Sequence, residues 1–382
     1  MLKNSISLKQ CVNEWKDPIS LADLKNIKND FKSDNSYRLI DVLKDVANLE
    51  DSFKSWIGIL HGTFIGMSDN WFKKSEVSFP FYNNFFVHNE GDYLRLSKLF
   101  NTKDKFILVA HPFHYIIKNY IKEKTPKPLG SVFFLPHDLN DKRPCVKIES
   151  VINRLKSLPK KYFPIDVCLH PNEVNKKTVK ILKENDFGVV TSGSRKDPYF
   201  LHRFYWLCKR RKYSLNAEFG SSVLLSSLIG LENIYIDGLT VIRWWPSKSM
   251  GWQIIPETHY RKLIKLFYEE KAISEEFVDL VFKLTGGEYI KNSNDLKKIF
   301  LNSKSKIHRF RDMQNKLNLS PYLYSFIYPY IRFFKAKYFA LIVKLLNSDG
   351  EYHPIQQKQL YRLCKYSELF DNKNIIKKIH QD

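Results

Sequence analysis

Between residue 56 and about residue 245, short apolar runs of four or five residues alternate with stretches of helical periodicity. Trp56-Ile57-Gly58-Ile59-Leu60, Asn84-Phe85-Phe86-Val87 and Phe106-Ile107-Leu108-Val109-Ala110 read as strands, with helices predicted over Glu90–Leu99 and Phe113–Ile121. A Pro-rich segment, Thr125-Pro126-Lys127-Pro128-Leu129-Gly130, then marks a linker. Beyond it the pattern restarts. Strands are predicted at Ser131–Leu135, Ile165–Leu169, Gly188–Thr191 and Asn233–Ile236, and helices at Ile148–Leu158, Glu173–Asn185, Pro198–Arg210 and Ser222–Ile229. From about residue 257 the periodicity is helical, beginning with Glu257–Lys271 and Ser274–Leu284. The first fifty residues read as short polar helices. Alternation of this kind signals βα units around parallel sheets. The expected class is α/β: two Rossmann-like domains facing a cleft, with a C-terminal helical extension. The expected boundaries are 1–125, 130–245 and 246–382, the last returning to the first domain or reaching a membrane.

Composition narrows the picture. With 43% hydrophobic and 15% aromatic residues in 382, the chain can build sizeable cores, and wholesale disorder is excluded. The five cysteines (Cys11, Cys145, Cys168, Cys208, Cys364) are scattered and form no CxxC or Cys/His spacing. Neither a disulfide framework nor a structural zinc is supported, and no metal site is expected. The opening MLKNSISLKQCVNEW lacks the apolar core of a secretory signal, and no run of about 18 apolar residues occurs. The expected location is cytoplasmic.

The net charge of +22 calls for an anionic partner: nucleic acid, an anionic membrane or a phosphorylated ligand. Two zones supply most of it. Residues 141–212 hold 18 Lys or Arg against 7 Asp or Glu, and residues 301–382 hold 15 against 6. In the second zone, Tyr322 to Phe339 mixes aromatics with cations and reads either as helices packing by their aromatic faces or as a peripheral contact with the inner face of the cell membrane. No helix-turn-helix, RNA-recognition motif or zinc module appears, so no specific nucleic-acid partner is expected.

Polar clusters fall at predicted strand ends, where ligands bind in open α/β sheets. Asn216-Ala217-Glu218-Phe219-Gly220-Ser221-Ser222 leads into a helix. Gly220 permits close backbone approach, Ser221 or Ser222 can cap, and the first N–H groups point at an anion. The upstream run Lys209-Arg210-Arg211-Lys212 is expected to add to the field; an ordinary capped helix beside a solvated basic turn is the alternative. Cys168-Leu169-His170-Pro171 places an imidazole at a strand end, suited to a phosphate or a leaving group, although a structural histidine fits the same pattern. Asp138 follows the strand at Phe133-Phe134-Leu135, positioned for general-base or nucleophilic work or for capping a turn. Ser192 and Arg195 sit in the loop Thr191–Pro198, which has no Walker or GxGxxG pattern. In the first half, His61, His88 and His111 each follow a strand, with Glu90 and His114 close by; three in succession favour a polar cleft.

The ordered motifs, His-Pro after a strand and a Gly-Ser-Ser helix start about fifty residues later, resemble bacterial glycosyltransferases of the GT-B fold. They are most similar to the CMP-sugar-dependent sialyltransferases and the β-Kdo transferases of capsule and lipopolysaccharide assembly. Specific motifs, GSVFFLPHD, VCLHPNE, VVTSGSRKDPYFLHRFY and NAEFGSS, fall between Gly130 and Gly238. The resemblance implies His170, Pro171, Gly220, Ser221 and Ser222 at a CMP site, with Ser192 and Arg195 beside it. It implies Asp138 and His170 in catalysis and His61, Glu90 and His111 on the acceptor side. The implied activity is transfer of an acidic ulosonic sugar of the Kdo or sialic acid type. The donor is a CMP-sugar acting as substrate, with no separate cofactor, and the acceptor is a surface or lipid-linked glycan. The alternatives are a transferase or epimerase using a UDP-sugar, and a non-catalytic basic protein binding membrane or nucleic acid.

Overall fold

The computed structural model describes residues 2–3, 6–7, 38–50, 52–53, 57–59, 84–102, 104–136, 146–170, 174, 176–193, 197–241, 258–269 and 272–305. All belong to one compact unit, which takes in Met1–Ser78 and Tyr82–Lys306; Phe79–Phe81 and Ile307–Asp382 form a second unit outside the described residues. Among the described residues, no helix is long and apolar enough to cross a membrane.

The fold is α/β and, among the described residues, has two sheets, both wholly parallel. In the first, β1 (Ile57–Ile59), β2 (Asn84–Val87) and β3 (Phe106–Leu108) lie side by side in chain order. In the second, β4 (Ser131–Phe134), β5 (Ile165–Cys168), β6 (Gly188–Val190), β7 (Tyr213–Asn216) and β8 (Glu232–Tyr235) adopt the order β6-β5-β4-β7-β8. The chain builds outward from β4 on one side and then turns to the other. The topological switch point therefore falls between β4 and β7, where such sheets open a crevice at their carboxyl ends. Parallel strands covered on both faces read as continuous apolar runs, as Val132 and Phe133 do.

The helices are α1 (Leu39–Val46), α2 (Glu90–Leu99), α3 (Pro112–Tyr120), α4 (Ile148–Lys156), α5 (Lys176–Glu184), α6 (Phe200–Lys209), α7 (Ser221–Leu228), α8 (Thr258–Tyr268), α9 (Glu275–Leu284) and α10 (Ser293–Ser305). Helix α6 is buried on all sides from Leu201 to Cys208, as a helix wedged between layers must be. Its Phe204 packs against Phe113 of α3 and stacks on Phe134 of β4, so the two sheets share one core. Tyr120, at the end of α3, ties the chain start into that core. Its hydroxyl accepts from Ile6 N–H at 2.8 Å and donates to His202 Nδ1 at 2.8 Å, while Trp206 Nε1 donates to Ile6 O at 2.9 Å. Helix α10 returns to the first sheet: Phe300 meets Phe86 and Phe53 edge-on, and Ser303 Oγ donates to Asn84 Oδ1 at 2.7 Å.

Candidate functional site

Helix α7 begins at the switch point, four residues beyond β7. Gly220 is its N-cap, in extended backbone, and has no side chain to offer the first-turn N–H groups. By contrast Asn89, His111 and Ser274 cap α2, α3 and α9 with their side chains. A Cβ at Gly220 would meet nothing within 4 Å, so the space beside it is open. Neither serine occupies the cap. Ser221 is the first helical residue and exposed, and Ser222 points back toward the sheet.

A buried polar chain fixes that direction. Ser227 Oγ donates to Val223 O (2.7 Å), so it accepts from Asn233 Nδ2 (2.8 Å). This turns Asn233 Oδ1 toward Asn216, whose Nδ2 donates to it at 3.3 Å and to Ser214 Oγ at 2.9 Å. Asn216 Oδ1 is left to accept from Ser222 Oγ at 2.8 Å. The hydroxyl proton of Ser222 is thus committed to the protein, and it presents a lone pair outward. An anion at α7 would meet backbone N–H groups and the helix dipole rather than that proton. Asn216 and Asn233, which orient the turn, were not singled out in the sequence as a pair; a Ser or Asn at every second position of β7 was the available signal.

The structure differs from expectation at Lys209–Lys212. This run precedes β7, whereas Gly220 follows it, so the cations flank the opposite end of the strand. Arg211 is bound to Asp166 of β5, with Nε donating at 2.9 Å, and Lys212 Nζ lies 3.5 Å from Glu232. They add nothing at short range to α7.

His170, half-buried, follows β5 at the same carboxyl edge as α7. Ser192 follows β6 and is buried; its N–H and hydroxyl both lie on the thiol of Cys168, which burial pushes up to about 12. Further along, Asp197 accepts from Tyr199 N–H (2.8 Å) and pairs with the buried Arg203 at 2.7 Å. The carboxyl edge of the second sheet thus carries His170 after β5, Ser192 after β6, and Gly220, Ser221 and Ser222 after β7. Pro171, Asp138, Arg195 and His61 lie outside the described residues, as does the aromatic segment 322–339.

At the first sheet, His111 is buried and caps α3 by accepting from Phe113 N–H through Nδ1 (3.2 Å), so its proton is on Nε2. His88 donates from Nδ1 to Val109 O (2.9 Å), which leaves a lone pair on Nε2. Neither Nε2 has a hydrogen-bond partner among the described residues, and the rings meet edge-on at 5.0 Å. His114 Nε2 lies 2.9 Å from Thr285 Oγ1. Burial holds His88 and His114 down to about 4, and His111, also beside both, well below its ordinary value. All three are neutral near pH 7. One lone pair and one N–H suit a hydroxyl better than an anion. The segment after α9 roofs them: His111 N–H donates to Thr285 O, Ala110 N–H to Tyr289 O, and Gly286, at φ 76°, sits where any Cβ would strike His88 O. Glu90 is exposed on the first turn of α2. Among the described residues no three His, Cys, Asp or Glu side chains are grouped to hold a metal ion.

No protein-family model and no curated protein sequence matches the chain. Among solved structures, the chain is similar to a UDP-GlcNAc 2-epimerase from Neisseria meningitidis bound to UDP-GlcNAc, at 12% identity and TM-score 0.33 over 72% of this chain and 84% of that one. It is similar to MnaA of S. aureus with UDP, at 10% and 0.34 over 82% and 92%. A glycosyltransferase from Rickettsia africae follows at 14% and 0.28 over 66% and 71%. At these identities and TM-scores the likenesses assign no ligand and no reaction to this chain.

Proposed function

We propose that the chain is a GT-B-type enzyme acting on a nucleotide sugar, a glycosyltransferase that carries an acidic ulosonic sugar from a CMP donor to a bacterial surface glycan. The observation that carries the reading is the start of α7: a glycine-capped helix N-terminus at the switch point of a doubly wound sheet, with open space beside it. An acceptor hydroxyl would attack the anomeric carbon as its bond to the donor phosphate breaks, so negative charge grows on the leaving nucleotide. The N–H groups of α7 meet that charge with no reorganisation, and His170 on the same edge would donate to it. Asp138 would take the acceptor proton. On the acceptor side, His61 and Glu90 would contact the acceptor sugar, and His111, whose Nε2 is buried, would act by holding the start of α3. The choice of CMP rests on the resemblance of the Leu-His-Pro and Gly-Ser-Ser motifs. A membrane-bound acceptor agrees with the basic charge of the chain.

Thermal unfolding with CMP, UDP, GDP and ADP at equal concentration tests this. A nucleotide at about a hundred times its Kd stabilises by roughly 2.7 kcal/mol, a shift of several degrees. Stabilisation by CMP alone is expected. Stabilisation by UDP alone would transfer the reading to a UDP-sugar transferase or epimerase, and none with any of the four would overturn the nucleotide site.

A further inference from the structure

Three loops meet at the amino edge of the five-stranded sheet, the edge opposite α7. Residues 121–130 lead into β4, 159–164 into β5 and 209–212 into β7. Backbone hydrogen bonds join them into one surface: Leu129 N–H donates to Arg210 O (3.1 Å), Lys212 N–H to Gly130 O (3.0 Å) and Ser131 N–H to Pro164 O (2.9 Å).

The first loop exposes Lys122, Lys124 and Lys127, and the second exposes Lys160 and Lys161. The third is Lys209-Arg210-Arg211-Lys212. Against these stand the exposed Glu123, Asp166 and Glu232, which Arg211 and Lys212 engage, and Glu184 and Asp186 before β6. Helices running antiparallel to the strands end at this edge, and their dipoles favour cations such as Lys156, Lys183 and Lys209 there. That account does not reach Lys124, Lys127, Lys160 or Lys161, which lie in loops or a single 3₁₀ turn. Nor does it explain three large apolar side chains turned to solvent among them: Ile121 at 70% exposure, Leu129 at 62% and Phe163 at 37%.

We infer that this amino edge is a docking surface for an anionic membrane. Cations alone would suit a nucleic-acid backbone equally, but exposed Ile, Leu and Phe have no task on a phosphate backbone. At a bilayer they enter the acyl boundary while the lysines stay with the lipid phosphates. None of its residues belongs to the basic aromatic segment 322–339, and its binding does not depend on the proposed sugar chemistry.

The test is co-sedimentation of the full-length chain with phosphatidylcholine vesicles, with and without phosphatidylglycerol. Each cation near an anionic surface is worth about fivefold in binding. Reversing Lys124, Lys127 and Lys160 to Glu should therefore lower binding to the anionic vesicles more than about a hundredfold. Leu129→Ser with Phe163→Ser should lower it about tenfold or more, and the loss should persist at high salt. Reversing Lys265, Lys297 and Lys298, exposed on α8 and α10, should cost far less. Wild-type binding by the loop variants, or equal loss in the distant control, would overturn the assignment. So would binding to duplex DNA without binding to anionic vesicles. All substituted side chains are at least partly exposed, and a thermal melt of each variant verifies that it folds.

Discussion

Gly220 stands in extended backbone that an alanine also adopts, and a methyl group there meets no other part of the described residues within 4 Å. Gly220→Ala should change stability by less than about 1 kcal/mol, the gain through the unfolded state offset by the poorer N-cap that alanine makes. If a phosphate comes against that turn, the same methyl group stands in its way. The expected result is a little-changed melting midpoint together with nucleotide affinity weakened tenfold or more, read by calorimetry. Unchanged affinity would remove α7 from the site. His111 teaches a different lesson at this scale. In the sequence it is a polar residue ending a strand, fit to line a cleft. In the structure its Nδ1 is occupied as the cap of α3 and its Nε2 is buried, so the ring serves the fold and not an open cleft wall.

The turn from β7 into α7 is held by Asn216 and Asn233, so its precision belongs to the element and not to either serine. Asn233→Ala should take one partner each from Asn216 Nδ2, Ser226 Oγ and Ser227 Oγ, which keep Ser214 Oγ and Val223 O, and cost about 1–3 kcal/mol in all. It should also weaken nucleotide binding, whereas Ser222→Ala, which removes a donor aimed inward, should affect binding little; an isotherm for each variant separates the two. Most elements are legible in the sequence because their apolar residues repeat: β2 at Asn84–Val87 and α2 at Glu90–Leu99 have the expected bounds. Strand β7 does not. Tyr213-Ser214-Leu215-Asn216 carries two polar residues in four, and its full burial depends on partners 6 and 17 residues further on, in α7 and β8, that only the fold brings against it. Missing that strand also misplaces the cations. Lys212 and Gly220 are close in sequence, but a four-residue strand of roughly 13 Å separates the edges they occupy. His170 and Ser192 were legible at the carboxyl edge, because each follows a predicted strand; Gly220, Ser221 and Ser222 were legible only as a helix start, since the strand before them was not. The fate of the Ser222 proton was not legible, since it depends on side-chain geometry.

Across the whole molecule, four buried histidines lean the same way. His88, His114 and His202 are held down to about 4 by burial, and burial also holds His111 well below the ordinary 6.5. The fold keeps them neutral while the unfolded chain takes up protons as pH falls through 6.5. Their contribution is complete above that value and is lost as pH falls from 6.5 toward 4. The melting midpoint should therefore fall between about pH 7 and pH 5, before most carboxylates titrate, and His114→Asn should flatten that slope. An identical slope in the variant would show that other groups govern the loss. The return of α10 to the first sheet has a consequence in time. Ser303 and Asn84 are 219 residues apart in the chain, and Phe300 closes over Phe86 from a similar distance. At a synthesis rate of roughly 5–20 residues per second, β2 waits about 10 to 40 seconds for the helix that covers it. During that interval a newly made Phe86 is open to any passing apolar chain, so the first sheet is the part of a nascent molecule that most needs a chaperone's protection.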